Sequence, residues 1–306
     1  MARRRKARGR DVSGIILLDK PKGVSSNEAL QQVKRIFHAQ KAGHTGSLDP
    51  LASGLLPICF GEATKFSNYV LTADKSYATE CQLGVTTATG DQEGDVLETK
   101  PVPVLNEQTI TEVLESFLGE SMQIPPMYSA LKQNGQPLYK LAREGIEVER
   151  EPRQIWISSI TLKSIDGDKL SFDVSCSKGT YIRTLAEDIG EKLGCGGHVT
   201  ELRRFDLGVF HINESVTLEK LHALRDEKAF AEMDEYIQSI ETALTDLPSV
   251  SLTDDSAFYI KQGQAVQVPK SPVDGLVTLY DSKKQFMGMG EIQDDGKVKP
   301  SRLLKS

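Results

Sequence analysis

The chain has 306 residues, of which 39% are hydrophobic and 26% charged, with a formal net charge of −6. This composition is typical of ordinary water-soluble globular proteins and excludes a largely disordered chain. Its apolar runs fall short of the roughly 18 residues that a membrane span needs. The apolar run at residues 15–18, after the basic start, is too short for a secretory signal. We therefore expect a cytoplasmic protein with no membrane partner.

The first ten residues form a basic tail with six Lys or Arg residues and no acid. Residues 1–10 could be a solubilising end, or an arm that contacts nucleic acid. The acidic net charge does not exclude the second reading, because phosphate binding depends on a local patch rather than on total charge.

The segment "GIILLDKPKGVSSNEALQQVKRIF" predicts a strand, a Pro-Gly turn and a helix. Ser25 and Glu28 have the spacing of a capping box. Leu30, Val33 and Phe37 repeat at helical spacing. The first helix should therefore begin just after Ser25 and bury these apolar side chains.

Strands are predicted next, from alternating apolar residues. Tyr77, Thr79, Cys81 and Leu83 share one face of the segment "SYATECQLGV". The segment "LSFDVSC" at residues 170–176 alternates in the same way. We expect both segments in a sheet with one buried face.

Two further helices are predicted in the second half of the chain. In "TLAEDIGEKLG", Thr184 and Glu187 have capping-box spacing and Gly194 is a stop signal. Apolar residues at positions 233, 237, 240 and 244 repeat at helical spacing, and Pro248 marks the end of this second helix.

From about Ser251 the pattern changes to short strands and turns, which predicts a small all-β module at residues 251–306. The preceding residues, 11–250, mix helices and strands without strict alternation, which favours an α+β domain with a mainly antiparallel sheet.

The segment "GHTGSLDPLASGLLP" places the carboxylate Asp49 directly before Pro50. This pair is a common helix start, with Asp as N-cap and Pro as first helical residue. Three nearby glycines, Gly43, Gly46 and Gly54, would instead let the backbone approach a ligand closely. The residues alone leave open whether Asp49 is a helix cap or a reactive group.

A metal site is not indicated. His44 has no second His or Cys nearby at the spacing of zinc ligands. The four cysteines also lie too far apart for C-x-x-C pairs and are expected to be reduced core residues. We expect neither a metal nor another cofactor.

Six ordered motifs together resemble the TruB family of pseudouridine synthases, bacterial enzymes that isomerise a uridine in the T arm of tRNA, at position 55. The motifs cover most of residues 14–211 and are "DKPKGVSSNEAL", "KAGHTGSLDPLASGLLPICFGEATKF", "ADKSYATECQLG", "PPMYSALKQNGQPLYKLAREGIEVEREPR", "CSKGTYIRTLAEDIG" and "LRRFDLGVF". Ser47 stands where the family usually has Thr, and "TTATGDQEG" only partly fits its acidic loop, so no role is assigned to Asp91. The resemblance implies a catalytic domain of pseudouridine-synthase type followed by a PUA-like RNA-binding module.

The resemblance also implies roles for individual residues. Asp49 would be the catalytic nucleophile and Arg183 its ionic partner. Tyr77 would stack on the uracil, in a pocket completed by Tyr181 and Leu202. An extended segment would point Tyr181 and Arg183 to one side, just before the helix that opens at the predicted capping box.

The resemblance further implies a broad RNA-contacting surface. His44 would contact RNA beside the flipped nucleotide, although a buried histidine with a structural role is the alternative. The insert at about residues 124–153 would contact RNA, either as a mobile flap or as a rigid excursion. From their charge, the expected phosphate contacts are Lys20, Lys132, Lys140, Arg143, Arg150 and Arg203, with Arg204 beside them, although any one of these could be an ordinary solvated charge.

The sequence therefore predicts a tRNA-modifying isomerase that acts as a monomer, without a guide RNA or an obligatory protein partner. Two alternatives stay open. A hydrolytic N-glycosidase would need a second carboxylate to activate water, which no motif supplies. A non-catalytic RNA-binding or RNA-folding protein would not need Asp49.

Overall fold

The structure is a computed structural model that describes residues 9–269 and 274–305. Most of the basic tail, residues 1–8, lies outside the described residues. Arg10 belongs to the folded part, because its backbone N–H donates to the His38 carbonyl (2.6 Å) and its carbonyl accepts from Gln40 (3.1 Å). Its guanidinium also pairs with Asp234.

The helices and strands follow one another along the whole described chain. The strands are β1 (Gly14–Lys20), β2 (Ala42–His44), β3 (Ser53–Phe60), β4 (Lys75–Leu83), β5 (Val85–Thr87), β6 (Val96–Thr99), β7 (Gly119–Gln123), β8 (Lys132–Gln133), β9 (Gln136–Pro137), β10 (Arg153–Asp166), β11 (Lys169–Cys176), β12 (Gly197–Leu207), β13 (Phe210–His211), β14 (Val216–Thr217), β15 (Ser249–Ser251), β16 (Val266–Gln267), β17 (Gly275–Tyr280), β18 (Phe286–Ile292) and β19 (Lys297–Leu303). The helices are α1 (Ser26–Ile36), α2 (Ser67–Thr72), α3 (Glu107–Glu115), α4 (Leu138–Arg143), α5 (Ile182–Lys192), α6 (Leu218–Asp226), α7 (Phe230–Glu235) and α8 (Asp254–Lys261), with 3₁₀ turns at Gly61–Lys65, Ile212–Glu214 and Ile240–Leu244.

A large mixed sheet forms the first domain, with the strand order β14-β1-β3-β12-β4-β11-β10-β7. Strand pairs β1–β14 and β3–β12 are parallel, while the other pairs along this path are antiparallel. The predicted α+β class with a mainly antiparallel sheet is confirmed. Strand β4 buries Tyr77, Thr79, Cys81 and Leu83 on one face, as the alternation predicts.

Helix α1 forms as predicted. The Ser25 hydroxyl accepts from the Glu28 N–H, and the Glu28 carboxylate accepts from the Ser25 N–H. Leu30, Val33 and Phe37 are buried in the core of the domain. The local capping chemistry and the apolar period agree here, which is why the sequence locates this helix.

Helix α5 begins earlier than predicted. Its N-cap is Tyr181 rather than Thr184, so Arg183 lies in the first turn of the helix and not in an extended segment. The reason is a contact distant in sequence, because the buried Gln123 side chain brackets the cap. Its Oε1 accepts from the Tyr181 N–H (2.8 Å), and its Nε2 donates to the Tyr181 carbonyl (3.0 Å). The predicted end is correct, with Gly194 at φ +80° just after the helix.

The helix predicted over residues 233–244 is instead two short pieces, α7 and the 3₁₀ turn at Ile240–Leu244. Between them the backbone of Gln238 pairs with Ile15 of β1, with N···O distances of 2.8 Å in both directions. Pairing with the sheet edge therefore interrupts a pattern that looks helical along the sequence.

The C-terminal module has a five-stranded sheet in the order β15-β17-β18-β19-β16. The predicted β module is present, but it also contains helix α8, which the sequence pattern did not predict. This helix begins at a Thr253 cap and packs Ala257 and Ile260 into the core of the module. The module contacts the first domain where Lys65 Nζ donates to the Leu303 carbonyl at 2.8 Å.

Gly54 allows two strands to approach closely beside the cavity described below. Its φ is +98°, and a Cβ atom there would lie 2.2 Å from the Arg204 carbonyl oxygen. We expect Gly54→Ala to destabilise the fold by more than about 1 kcal/mol, because it combines backbone strain with a backbone clash. Thermal unfolding measures this effect.

Gly43→Ala is the matched control, because a Cβ atom at Gly43 meets nothing within 4 Å. It should change stability by less than about 0.5 kcal/mol. Equal losses from both variants would contradict the assigned role of Gly54.

Candidate active site

Asp49 lies in a turn and not at a helix start. Its carbonyl oxygen accepts from the Ala52 N–H (3.1 Å), and the chain continues directly into β3. The interpretation of Asp49 as a helix cap is therefore wrong. Its side chain is 46% exposed and free to act on a ligand.

Hydrogen bonds from Gly23 and Ser26 hold the backbone on both sides of Asp49. The Ser26 hydroxyl accepts from the Leu48 N–H (2.7 Å) and donates to the Leu48 carbonyl (3.0 Å). The Gly23 N–H donates to the Pro50 carbonyl (2.7 Å). The Pro-Gly turn and the first turn of α1 therefore hold the carboxylate in place.

Arg183 is the cationic centre of the site. Its Nε lies 3.1 Å from Asp49 Oδ2, and one terminal nitrogen lies 3.4 Å from Asp91 Oδ2. The same terminal nitrogen donates to the Thr89 carbonyl and the other to the Tyr128 carbonyl, both at 2.7 Å. Because Arg183 is only 5% exposed, these contacts compensate a desolvated charge and orient the guanidinium.

Asp91 is a residue of the site to which the sequence motifs gave no role. It is 4% exposed, and its Oδ1 accepts from the Thr89 hydroxyl (2.5 Å) and the Glu93 N–H (3.1 Å). Gly90 and Gln92 pair with Val199 of β12, which fixes the loop. The available signal was the cluster of acids in "TTATGDQEG", but only the fold brings Asp91 to Arg183.

Asp49 and Arg183 lie where a small cavity meets a larger groove. The cavity has a volume of about 190 Å³, below the roughly 300–1,000 Å³ of usual ligand pockets. The groove has a volume of about 700 Å³. The cavity is lined by Ser47, Leu48, Asp49, Ala52, Tyr77, Tyr128, Ser129, Ala130, Thr180, Tyr181, Ile182, Arg183 and Leu202. The structure therefore brings together Asp49, Arg183, Tyr77, Tyr181 and Leu202.

Two buried residues of the cavity wall are Tyr77 and Leu202, and a buried cation, Arg204, lies behind Tyr77 and outside the lining. Tyr77 and Leu202 are each 8% exposed. Burial raises the pKa of Tyr77, and the neighbouring Arg204 acts in the opposite direction. Arg204 is 1% exposed and donates from Nε to the Leu55 carbonyl (2.8 Å), so the prediction that it tracks phosphates is corrected.

His44 lies in the wall of the groove. Burial, and then the charge of Arg204, lower the pKa of His44, so the ring is neutral at physiological pH. Its Nδ1 is buried and has no hydrogen-bond partner within residues 9–269 and 274–305. The ring lines the groove, as an RNA contact requires, while its Nδ1 is enclosed by protein, so the RNA contact and the structural role both stay predictions.

Three of the expected phosphate contacts are exposed on the insert. Lys132, Lys140 and Arg143 all face solvent. Arg143 lines the groove, with its guanidinium carbon 5.7 Å from the centre of the Tyr139 ring. Of the three, only Arg143 lines the groove, so the phosphate contacts of Lys132 and Lys140 stay predictions.

The other three expected contacts already have protein partners. Lys20 is 0% exposed and donates to the Pro21 and Val24 carbonyls (2.9 and 2.6 Å), so the predicted RNA contact is corrected. Burial lowers the pKa of Lys20 to about 8. The guanidinium of Arg150 donates to the Pro125 carbonyl (3.2 Å) and joins the two ends of the insert. The sixth residue of the set is Arg203, which makes a bidentate pair with Asp19 at 3.0 and 2.7 Å.

The described residues meet neither the requirements of a metal site nor those of a membrane-spanning helix. Residues 9–269 and 274–305 contain no group of three or more His, Cys, Asp or Glu side chains that could hold a metal ion. In the same residues, no helix combines the length and apolarity that crossing a membrane requires.

Three family models match consecutive parts of the chain. "TruB family pseudouridylate synthase (N terminal domain)" matches residues 34–182. "tRNA pseudouridylate synthase B C-terminal domain" matches residues 183–245, and "Pseudouridine synthase II TruB, C-terminal" matches residues 248–304.

Individual proteins agree with these matches. The "tRNA pseudouridine synthase B" of Stutzerimonas stutzeri (strain A1501) is 54% identical over 297 residues, which cover 97% of each chain. The "Structure of H/ACA RNP bound to a substrate RNA containing 2'-deoxyuridine" has a TM-score of 0.73 at 26% identity and covers all of this chain and 92% of that chain. The "Crystal Structure of a Cbf5-Nop10-Gar1 Complex" has a TM-score of 0.72 at 29% identity. This match covers 96% of this chain and 84% of that chain.

The fold and the matched families are those of a pseudouridine synthase. Within that class, the chain belongs to the TruB family, so the resemblance in the sequence is confirmed.

Glu187, one turn after Arg183 in α5, makes the stability of the fold depend on pH. Burial, and then the charge of Asp188, raise the pKa of Glu187 from 4.5 to about 7. The folded state therefore binds the Glu187 proton more tightly than the unfolded state does. The stability that this proton contributes is fully present below pH 4.5 and is lost as pH rises through about 7. Glu187→Gln cannot ionise, so between pH 5 and pH 8 it should gain on the order of 2 kcal/mol relative to the wild type.

Chemical denaturation of both proteins at several pH values measures this difference. Glu191→Gln removes an exposed carboxylate from the same helix and is the matched control. A difference for Glu187→Gln that does not grow with pH would contradict the assigned environment.

Proposed function

We propose that this protein converts a specific uridine in the T arm of tRNA, position 55, to pseudouridine, with Asp49 as the nucleophile. The observation that carries the proposal is the ion pair between Arg183 Nε and Asp49 Oδ2, 3.1 Å apart, at the junction of a small cavity and a groove. The relatives named for tRNA pseudouridine formation support the reaction and the tRNA substrate. The T arm is the target that the sequence motifs imply.

The shape of the site suits one flipped nucleotide. An enzyme that changes a base must take it out of its stack, and this costs a few kcal/mol. The groove can accommodate the RNA strand while the small cavity receives a single pyrimidine ring. Tyr77 offers an aromatic face for stacking, and stacking is worth roughly 1–3 kcal/mol per base.

The chemistry requires an ionised carboxylate beside the ribose. The bond from C1′ to N1 breaks, the uracil turns, and C5 bonds to the same C1′. The hydrogen on C5 leaves as a proton and N1 gains one, so the reaction is a redox-neutral isomerisation. Asp49 engages the electron-poor sugar when the base departs, and Arg183 keeps the carboxylate charged and oriented.

The second carboxylate of the site favours isomerisation over hydrolysis. A glycosidase of the inverting kind uses its second carboxylate to activate water. Asp91 is instead buried, accepts from Thr89 and Glu93, and faces Arg183. It is suited to holding the cation and not to activating a water molecule.

The protein acts as a monomer in the cytoplasm and needs no guide RNA, protein partner or cofactor. Asp49, Arg183 and the whole lining of the cavity come from one chain. Tyr128 and Ser129 of its own insert complete that lining. The solved relatives include an RNA-protein complex and a Cbf5-Nop10-Gar1 complex, and we assign no such partners to this chain.

Asp49→Asn tests the nucleophile. The variant keeps the size of the side chain and removes its charge, so it should fold and bind T-arm RNA but form no detectable pseudouridine. A lost covalent catalyst removes many kcal/mol of transition-state stabilisation. Chromatography of digested RNA measures the product, and a gel-shift titration measures binding.

Arg183→Gln provides an internal check. It should also abolish turnover, and adding it to Asp49→Asn should cost little more, because residues that act as one unit are not additive. Turnover near the wild-type rate by homogeneous Asp49→Asn protein would eliminate the proposed mechanism. A non-catalytic RNA-folding protein would form no pseudouridine even as the wild type, and Asp49→Asn would leave its RNA-folding function intact.

The cations of the insert should contribute by binding phosphates. Replacing Lys132, Lys140 and Arg143 together with Gln should weaken RNA binding and flatten its dependence on salt. The log–log slope should fall by about one unit for each phosphate that the variant no longer binds. Binding titrations from low to high salt measure the slope, and Lys163→Gln, on the outer face of the sheet where Lys163 pairs with Asp173, is a control. An unchanged slope would make the insert a purely structural excursion.

A further inference from the structure

Ser129 lines the cavity and carries a buried hydroxyl that is unpaired among the described residues. The residue is 5% exposed, and its Oγ atom makes no hydrogen bond within the part of the chain that the structure describes. It faces the Tyr181 phenol without meeting hydrogen-bond geometry. Because a buried polar group without a partner is unfavourable, such a group in a binding cavity points to a ligand that satisfies it.

Hydrogen bonds of the backbone hold the chain in place at Ser129. The Ser129 N–H donates to the Met127 carbonyl (2.9 Å), and its carbonyl accepts from the Tyr139 N–H (3.0 Å). The preceding carbonyl, of Tyr128, accepts from Arg183 (2.7 Å). These bonds fix the backbone of Ser129 beside the cavity, so rotation about χ1 and rotation of the hydroxyl group set the direction in which the side chain donates.

The location of Ser129 matches the place where the base must turn. Ser129 lines both the small cavity and the groove, as Asp49 and Arg183 do. The other walls of the cavity include Tyr77 and Leu202, which present an aromatic ring and an aliphatic side chain. The Ser129 hydroxyl is therefore a neutral polar group in a cavity whose wall also offers an aromatic and an aliphatic side chain to the faces of a base.

We infer that the Ser129 hydroxyl donates a hydrogen bond to a carbonyl oxygen of the flipped uracil and holds the base while it turns. This inference rests on the proposed function. Uracil carries O2, N3–H and O4 along one edge. A half-turn about the line through N3 and C6 exchanges N1 with C5, and it also exchanges O2 with O4. A donor directed at one carbonyl position therefore finds an acceptor there before and after the turn.

This geometry predicts which kinetic constant changes. The hydrogen bond exists only when the base is in the cavity, whereas most of the affinity for RNA comes from phosphate contacts along the groove. Loss of the hydroxyl should therefore lower kcat and leave the KM for RNA nearly unchanged. A neutral hydrogen bond of ordinary strength corresponds to a roughly three- to tenfold loss of kcat.

The experiment compares Ser129→Ala with the wild type on T-arm RNA. We expect kcat to fall roughly three- to tenfold, with KM unchanged and the midpoint of thermal unfolding equal or higher, because the variant removes an unsatisfied buried group. Ser76→Ala is the matched control, since Ser76 is also buried but its hydroxyl pairs with Ser175 at 2.8 Å. This control should lower the unfolding midpoint and keep wild-type turnover.

A second measurement identifies the acceptor on the base. RNA with 2-thiouridine or 4-thiouridine at the target position replaces one carbonyl oxygen by sulfur, which is a weaker acceptor. If Ser129 donates to that position, the thio substitution should slow the wild type and have a smaller additional effect on Ser129→Ala. Additive effects for both thio substrates would overturn the inference.

The outcomes separate this inference from the proposed function. A wild-type protein that forms no pseudouridine overturns both. An active wild type with equal kcat for Ser129→Ala overturns only the role of Ser129. A raised KM with unchanged kcat also overturns it, because Ser129 would then act in RNA docking and not on the flipped base.

Discussion

The site depends on the compensation of one buried positive charge. Arg183 is 5% exposed, and a desolvated guanidinium is stable only when its donors and its charge are matched. Its acceptors come from three separate segments: the turn at Asp49, the loop with Thr89 and Asp91, and the insert at Tyr128. The same contacts that stabilise the cation therefore also define the relative positions of the proposed nucleophile, the acidic loop and the insert.

Rigid elements support both members of the ion pair. Gln123 at the end of β7 brackets the N-cap of α5 and so fixes where the first turn, with Arg183, begins. On the other side, the hydrogen bonds of Ser26 and Gly23 hold the chain before and after Asp49. A reactive carboxylate on a turn is thus positioned about as firmly as one on a strand, which catalysis requires.

The sequence predicts those features whose causes are local. The capping box of Ser25 and Glu28 and the alternation along β4 were read correctly, because capping and face burial act within a few residues. Three features could not be predicted from the sequence: the start of α5, the break at Gln238 and the position of Asp49 outside any helix. Each depends on a partner far along the chain, such as Gln123 or Ile15. Asp91 was missed for the same reason, since its significance comes from Arg183.

The insert contributes to the candidate site as well as carrying the exposed cations that we expect to bind RNA. Its exposed cations face solvent, while the Tyr128 carbonyl accepts from Arg183 and the Ser129 side chain lines the cavity. Arg150 joins its two ends through the Pro125 carbonyl. If the insert opened, Arg183 would lose an acceptor for a buried donor, which is costly. These contacts favour the rigid excursion over the mobile flap as the prediction for the insert.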